Sequence, residues 1–248
     1  MTGTARTGRH RQGGRNRMTS VIFDLDGTLV DSEPNYYESG RRTLERHGVP
    51  DFTWEEHSRF IGIGTLETLE ILRDRYGIAA PVEQLLAEQN AAYLDLARTG
   101  TEVFPQMRAL VERLHAEGAP MAVASGSSRE AIDAVLAGTG LDALLATAVS
   151  AEEVARGKPA PDVFLEAARR LGAEPADCVV VEDAAPGARA AVAAGMECVV
   201  VPYSPDIADD PAFASAGLLF RGGQAEFSAD AAYGWLTARS ARAARGTV

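Results

Sequence analysis

The 248-residue chain is nearly without lysine: of its 24 basic residues 23 are Arg, and Lys158 stands alone. Arg is the default cation here. The single Lys points to a place that suits a compact ammonium and not a planar guanidinium fork. Cysteine is scarce too. Cys178 and Cys198 each open an apolar run, at 178–181 and 198–201, and read as buried free thiols. Two Cys exclude a disulfide framework and a thiolate metal site, and they fit a reducing cytoplasm. No run of about 18 apolar residues occurs, so no membrane span is expected. Positive charge is short in the body of the chain. The formal net charge is −11, and the first 17 residues hold five Arg and no acid, which leaves −16 on the rest. Such a body repels nucleic acid and is compatible with a site that recruits a divalent cation before an anionic substrate.

Residues 1–17 are polar, basic and Gly-rich. They lack the apolar stripe of a transit helix and the apolar core of a signal peptide. They read as a disordered basic tail or the product of an upstream start, with Met18 the functional beginning. Val21, Ile22 and Phe23 then favour a strand, which ends abruptly at Asp24 and Asp26, with Gly27 supplying a turn. The next seventy residues show only helical spacing, at 35–47, 65–76 and 82–96, each of the first two segments closed by a Gly. From Phe104 strands and helices alternate. Strands are expected at 120–124, 146–149, 178–181 and 197–201, with an edge strand at 218–220. Helices are expected between them and at 227–238, where Trp235 packs as core. This rhythm predicts an α/β fold, a doubly wound parallel sheet with a helical insert. The expected division is a tail at 1–17, a sheet domain at 18–34 and 102–240, a helical insert at 35–101 and a frayed end at 241–248.

Four stretches carry chemistry. In 21–33, VIFDLDGTLVDSE, two aspartates at i and i+2 repel each other unless a cation or a proton settles the charge, and the carboxyl edge of a strand is where open α/β sheets place their sites. Ser125-Gly126-Ser127-Ser128 follows the second strand. It reads either as a plain helix cap or as a set of hydroxyl and amide donors for a phosphate. Lys158 lies in Gly157-Lys158-Pro159-Ala160-Pro161-Asp162, just before a helix. Glu182-Asp183 ends Val179-Val180-Val181, and such oxygen-only ligands suit Mg²⁺.

The first stretch resembles DxDGT(L/V)xDSE, the opening motif of the haloacid dehalogenase superfamily of phosphohydrolases, nearly letter for letter. The third resembles that family's GKPxPD(I/V)F pattern, completed by Val163 and Phe164, and all four occur in the family's order over about residues 20–220. The resemblance implies a Rossmann-like core with a helical cap and a small phosphorylated metabolite as the partner, neither nucleic acid nor membrane, with the protein a monomer or homodimer. It implies that Asp24 is the nucleophile and Asp26 the general acid and base. Mg²⁺ would be held by Asp24, the Asp26 carbonyl and Asp183, with Glu182 a ligand or its outer partner. Ser125, Gly126 and Lys158 would hold the phosphoryl oxygens.

Asp26 argues against the dehalogenase branch, whose halide needs no proton, and an insert without Lys argues against the Schiff-base phosphonate branch. The mutase branch carries a His and an Arg where this chain has Tyr36 and Thr65, so a phosphatase acting on a sugar or polyol phosphate is expected, with a β-phosphoglucomutase-like mutase or a non-catalytic binding protein as alternatives. Gly62 to Thr65 is either the loop that reaches into the site or an ordinary helix–helix turn. Arg129 is either a substrate contact or a solvated helix residue.

Overall fold

The computed structural model describes residues 18–245 apart from Gly62. The expected tail at 1–17, the last three residues of the expected frayed end and Gly62 lie outside the described residues.

Six strands form one parallel sheet: β1 (Ser20–Phe23), β4 (Met121–Ser125), β5 (Thr147–Ser150), β6 (Cys178–Glu182), β7 (Glu197–Val200) and β8 (Leu218–Leu219), in the spatial order β5-β4-β1-β6-β7-β8. Every pairing in this sheet is parallel. Helices cover both faces, so the central strands are apolar between their polar ends. Val21, Phe23, Val123, Val179 and Val181 point into one core cluster, and Ile22, Ala122, Ala124, Cys178 and Val180 into the other. The period-two alternation of a strand sends neighbouring residues to opposite faces, and here both destinations are apolar.

This order decides where the site lies. The chain leaves β1 and later builds outward on both sides of it, so β1 sits at the switch point of the sheet. A crevice opens there beyond the carboxyl ends of the strands. β1, β4 and β6 are hydrogen-bonded neighbours, which brings the residues at their ends within one or two strand spacings of about 4.8 Å each.

Between residues 32 and 101 the described residues form four α-helices: α1 (Glu33–Arg46), α2 (Trp54–His57), α3 (Thr65–Tyr76) and α4 (Val82–Gly100). They have their own apolar cluster, built on Leu44, Phe52, Phe60, Leu69, Leu72 and Leu85. α4 also crosses to the sheet side. Its Tyr93 and Ala97 belong to the main core cluster, and it packs against α6 (Arg129–Thr139). Gly138 makes that approach possible, because a Cβ there would meet the Ala97 carbonyl oxygen at 2.8 Å.

Two features of this region were not expected from sequence. The chain enters and leaves it through a short antiparallel ribbon, β2 (Val30–Asp31) against β3 (Glu102–Val103), and two-residue strands carry no readable period. α2 is a single turn capped by the Thr53 side chain, too short for a helical stripe. The last helix, α9 (Ala229–Arg245), runs on into the stretch expected to fray. Its end is rich in Ala, a strong helix former, and Ser240 is tied to Thr19 by a 2.7 Å hydroxyl contact. The remaining helices, α5 (Pro105–Ala116), α7 (Asp162–Leu171) and α8 (Ala185–Ala193), flank the sheet. No helix among the described residues is long and apolar enough to cross a membrane.

Candidate active site

The carboxyl ends of β1 and β6 bring three buried carboxylates together. Asp24 follows β1, Glu182 ends β6 and Asp183 comes next, and each offers an oxygen within 4.8 Å of the others. Asp24 stays in line with the sheet through its amide, which donates to the Val181 carbonyl at 2.9 Å. Lys158 reaches in from the segment before α7. Its Nζ donates to Asp24 Oδ1 at 2.5 Å and to Glu182 Oε1 at 2.7 Å. Glu182 Oε2 accepts the Ala184 amide at 2.7 Å, so both its oxygens are engaged. Thr28 Oγ1 donates to Asp183 Oδ1 at 3.1 Å.

Two glycines make room for the carboxylates. Gly27 has φ +78°, and a Cβ on it would come to 2.5 Å from Asp183 Oδ2. A Cβ on Gly187, in the first turn of α8, would overlap the Glu182 carboxylate.

Asp26 is turned away from this triad. Ser127 Oγ donates to its Oδ2 at 2.6 Å and Ser125 Oγ to the same oxygen at 3.2 Å. Tyr93 OH donates to Oδ1 at 3.4 Å. The two aspartates of the first motif therefore sit in different surroundings, one beside an ammonium and two acids, the other among hydroxyls. The Ser125 loop is itself fixed: the Ser127 amide donates to Ser125 Oγ at 3.0 Å and Ser150 Oγ to the Ser127 carbonyl at 2.7 Å. Gly126 is exposed on this loop, with open space where a Cβ would stand.

Of the other anticipated residues, Gly62 lies outside the described residues. Thr65 opens α3 with Gly64 as its cap residue. The Arg129 guanidinium is held by Asp133 at 2.6 Å and by the Ala148 carbonyl at 2.9 Å. Conversely, Thr28, Ser127 and Tyr93 touch the acidic groups and were not singled out from sequence. Tyr93 falls within the helical spacing expected at 82–96, and its ring packs in the core. Thr28 stood inside the first motif without a partner to suggest its bond across 155 positions to Asp183.

Comparison with known proteins places this arrangement. The sequence model of the haloacid dehalogenase-like hydrolases matches residues 18–195, well over half of the chain. The chain belongs to this family. Fructose-1-phosphate phosphatase YqaB of Escherichia coli is 35% identical over 185 residues, which cover 75% of this chain and 97% of that protein. The bifunctional riboflavin kinase/FMN phosphatase of Arabidopsis thaliana is 33% identical over 189 residues, 75% of this chain; the match spans about half of that longer protein, 48%. Among solved structures, a Thermotoga maritima protein provisionally assigned as a beta-phosphoglucomutase superposes with a TM-score of 0.70 at 30% identity, covering 82% of this chain and 94% of that one.

Haloacid dehalogenase-like hydrolases typically use a divalent metal, and the charges here can be tested against that. Three buried carboxylates face one ammonium. Burial, with Glu182 and Asp26 close by, pushes Asp24 up to about 7 against the pull of Lys158. Burial and the neighbouring Glu182 and Asp24 hold Asp183 well above the usual carboxylate range. Burial works against the Lys158 ammonium, but Asp24 and Glu182 on either side keep it firmly charged. The triad with Lys158 carries two uncompensated negative charges when ionised, and an all-oxygen donor set of this kind fits a hard divalent cation.

A stability prediction follows. The folded pKa of Asp24, about 7, lies above its ordinary value of 3.8, so the folded protein binds this proton more tightly than the unfolded chain does. The stability linked to Asp24 is fully present below about pH 4 and is lost as pH rises through about 7. Mg²⁺ is expected to raise Tm more at about pH 8 than at about pH 5, and metal-free Asp24→Asn should show a shallower loss of Tm over that range. A Tm gain from Mg²⁺ that is the same at both pH values would count against the triad as the metal's seat.

Proposed function

We propose that this protein is a magnesium-dependent phosphatase that hydrolyses a small phosphate monoester, a sugar or polyol phosphate, through an aspartyl phosphate. The reading rests above all on one observation: Lys158, the sole lysine of the chain, bridges Asp24 and Glu182 beside Asp183. Asp24, the Asp26 backbone carbonyl and Asp183 would hold Mg²⁺, with Glu182 beside it. The ion, when bound, supplies positive charge opposite the phosphoryl oxygens.

An Asp24 carboxylate oxygen attacks phosphorus. The bond from phosphorus to the ester oxygen breaks, and that oxygen takes the proton of the Asp26 carboxyl group. Asp26, now ionised, takes a proton from water. The water oxygen attacks phosphorus, the bond to Asp24 breaks, and inorganic phosphate leaves with both carboxyl groups restored. Lys158, Ser125 and the Gly126 amide orient the phosphoryl oxygens and offset their charge. The different surroundings of Asp24 and Asp26 support this split of roles.

Residues 35–101 act as a cap over a core formed by 18–34 and 102–240, with Gly62, Thr65 and Arg129 as candidate contacts to substrate. The sugar-phosphate assignment is supported by the name of the E. coli relative. A mutase reading is supported by the fold likeness to the T. maritima protein, and Tyr36 and Thr65 stand against it. A cytoplasmic setting is supported by two free, buried thiols. The test is phosphate release from a panel of sugar, polyol and nucleotide monophosphates, with Mg²⁺ and with chelator. Release that requires the metal is expected. Isomerisation of a sugar phosphate without net release would favour the mutase.

A further inference from the structure

The helical segment meets the site through two stacked tyrosines. Tyr36 of α1 and Tyr93 of α4 lie with ring centroids 4.4 Å apart and planes at 26°. Tyr36 OH is 3.3 Å from Ser127 Oγ, and Tyr93 OH donates to Asp26. Tyr36 is partly exposed and Tyr93 is buried behind it, so this boundary presents an aromatic ring and neutral hydroxyls.

The cations of the same segment are turned elsewhere. Arg41 and Arg42 share Glu38, Arg59 holds Glu55, Arg73 holds Asp74, Arg75 holds Glu56 and Arg98 holds Asp95. Arg46 lies ten residues beyond Tyr36 on α1, roughly 15 Å along the helix axis. His57 is bonded to Glu33 at 3.0 Å. On the core side Arg129 and Arg156 are held by Asp133 and Asp162. The ionisable groups that the tyrosines here bond to are acidic. Asp26 accepts from Tyr93 and Asp31 accepts from Tyr203. Among the described residues Lys158 is the one cation joined to the acidic triad, and the phosphoryl group claims it.

We propose that Tyr36 and Tyr93 make the protein selective for monoesters whose remaining atoms carry no second negative charge, so that bisphosphates and phosphocarboxylates are rejected. The inference rests on the phosphatase reading and adds the chemistry of the substrate's far end. A second anion would find no unpaired cation among the described residues at this boundary and would lie near carboxylates, which is discrimination by an unpaired charge.

The test uses pairs of esters that differ only at the far end: a hexose 1-phosphate against the same hexose 1,6-bisphosphate, and glycerol 3-phosphate against 3-phosphoglycerate. With Mg²⁺ and wild-type protein, kcat/KM is expected to favour the neutral-ended member on the order of 100-fold. Tyr36→Arg should narrow that ratio at least about tenfold, by lowering KM for the charged member. Equal kcat/KM within each pair overturns the inference, and so does a folded Tyr36→Arg protein that keeps the wild-type ratio. If no ester is hydrolysed, the phosphatase reading falls by itself. The Tm shift that each ester gives the Mg²⁺-loaded protein then decides the selection: a larger shift from the neutral-ended member upholds it and equal shifts overturn it.

Discussion

Asp24→Asn is expected to lower phosphate release by about 10⁴-fold or more while the protein remains folded. The size follows from the role. A carboxylate that forms a covalent bond to phosphorus has no substitute in an amide, and loss of a nucleophile of this kind removes nearly the whole of the chemical step. The fold is expected to survive because Asn keeps the shape of the side chain, its carbonyl can accept from Lys158, and Lys158 retains Glu182 at 2.7 Å. One carboxylate fewer in a buried triad also removes a repulsion that pushes Asp183 upward. Phosphate release with Mg²⁺, read beside circular dichroism and Tm, checks the claim. A folded Asp24→Asn protein within about tenfold of wild type would falsify the nucleophile assignment.

Much of this site was legible in the sequence because the fold announces its strand ends. Val21–Phe23 and Val179–Val181 are apolar runs broken by acids, and the runs are apolar because both faces of β1 and β6 are covered. Their polar ends then fall side by side because β1 lies between β4 and β6. The lone Lys158 drew notice through composition alone, and the structure joins it to two of those acids. The helix with a regular stripe and a closing Gly at 65–76, α3, was bounded as found.

The parts that were not legible are those that depend on long-range approach. Tyr93 keeps helical spacing and is 4% exposed, so nothing local distinguishes it from core, yet its hydroxyl reaches Asp26 because α4 crosses onto the sheet domain. Ser127 is one of three serines in a cap-like loop, and only the register of β4 against β1 turns it toward Asp26. The ribbon of β2 and β3 depends on pairing between residues some seventy positions apart. Arg129, read either as a substrate contact or as a solvated helix residue, makes an i,i+4 pair with Asp133.

Lys158→Met is expected to cost both activity and stability, and Lys158→Arg to cost activity without rescue. The Lys158 side chain is 11% exposed and its two partners less than that. Removing one member of a buried ion pair leaves charge uncompensated and costs about 3–5 kcal/mol. Here it leaves three buried carboxylates with no cation among the described side chains of the site. Mg²⁺ should return part of the lost Tm of Lys158→Met, because a divalent charge offsets the triad. It should not return turnover, because the phosphoryl oxygens still lack the ammonium that orients them.

Lys158→Arg separates charge from shape. Nζ sits between Asp24 and Glu182 and 5.0 Å from the centroid of the Phe164 ring, in a space set by buried groups on three sides. A guanidinium keeps the positive charge, and its larger planar fork cannot occupy the point that Nζ holds. The expected outcome is a protein with most of its Tm and roughly 100-fold less phosphate release, since a displacement of about 1 Å in a positioning group costs that much. If Lys158→Arg instead works within about fivefold of wild type, the one lysine in a chain of arginines is an accident of composition. If it fails while remaining folded, the requirement for a compact cation at this point accounts for the exception.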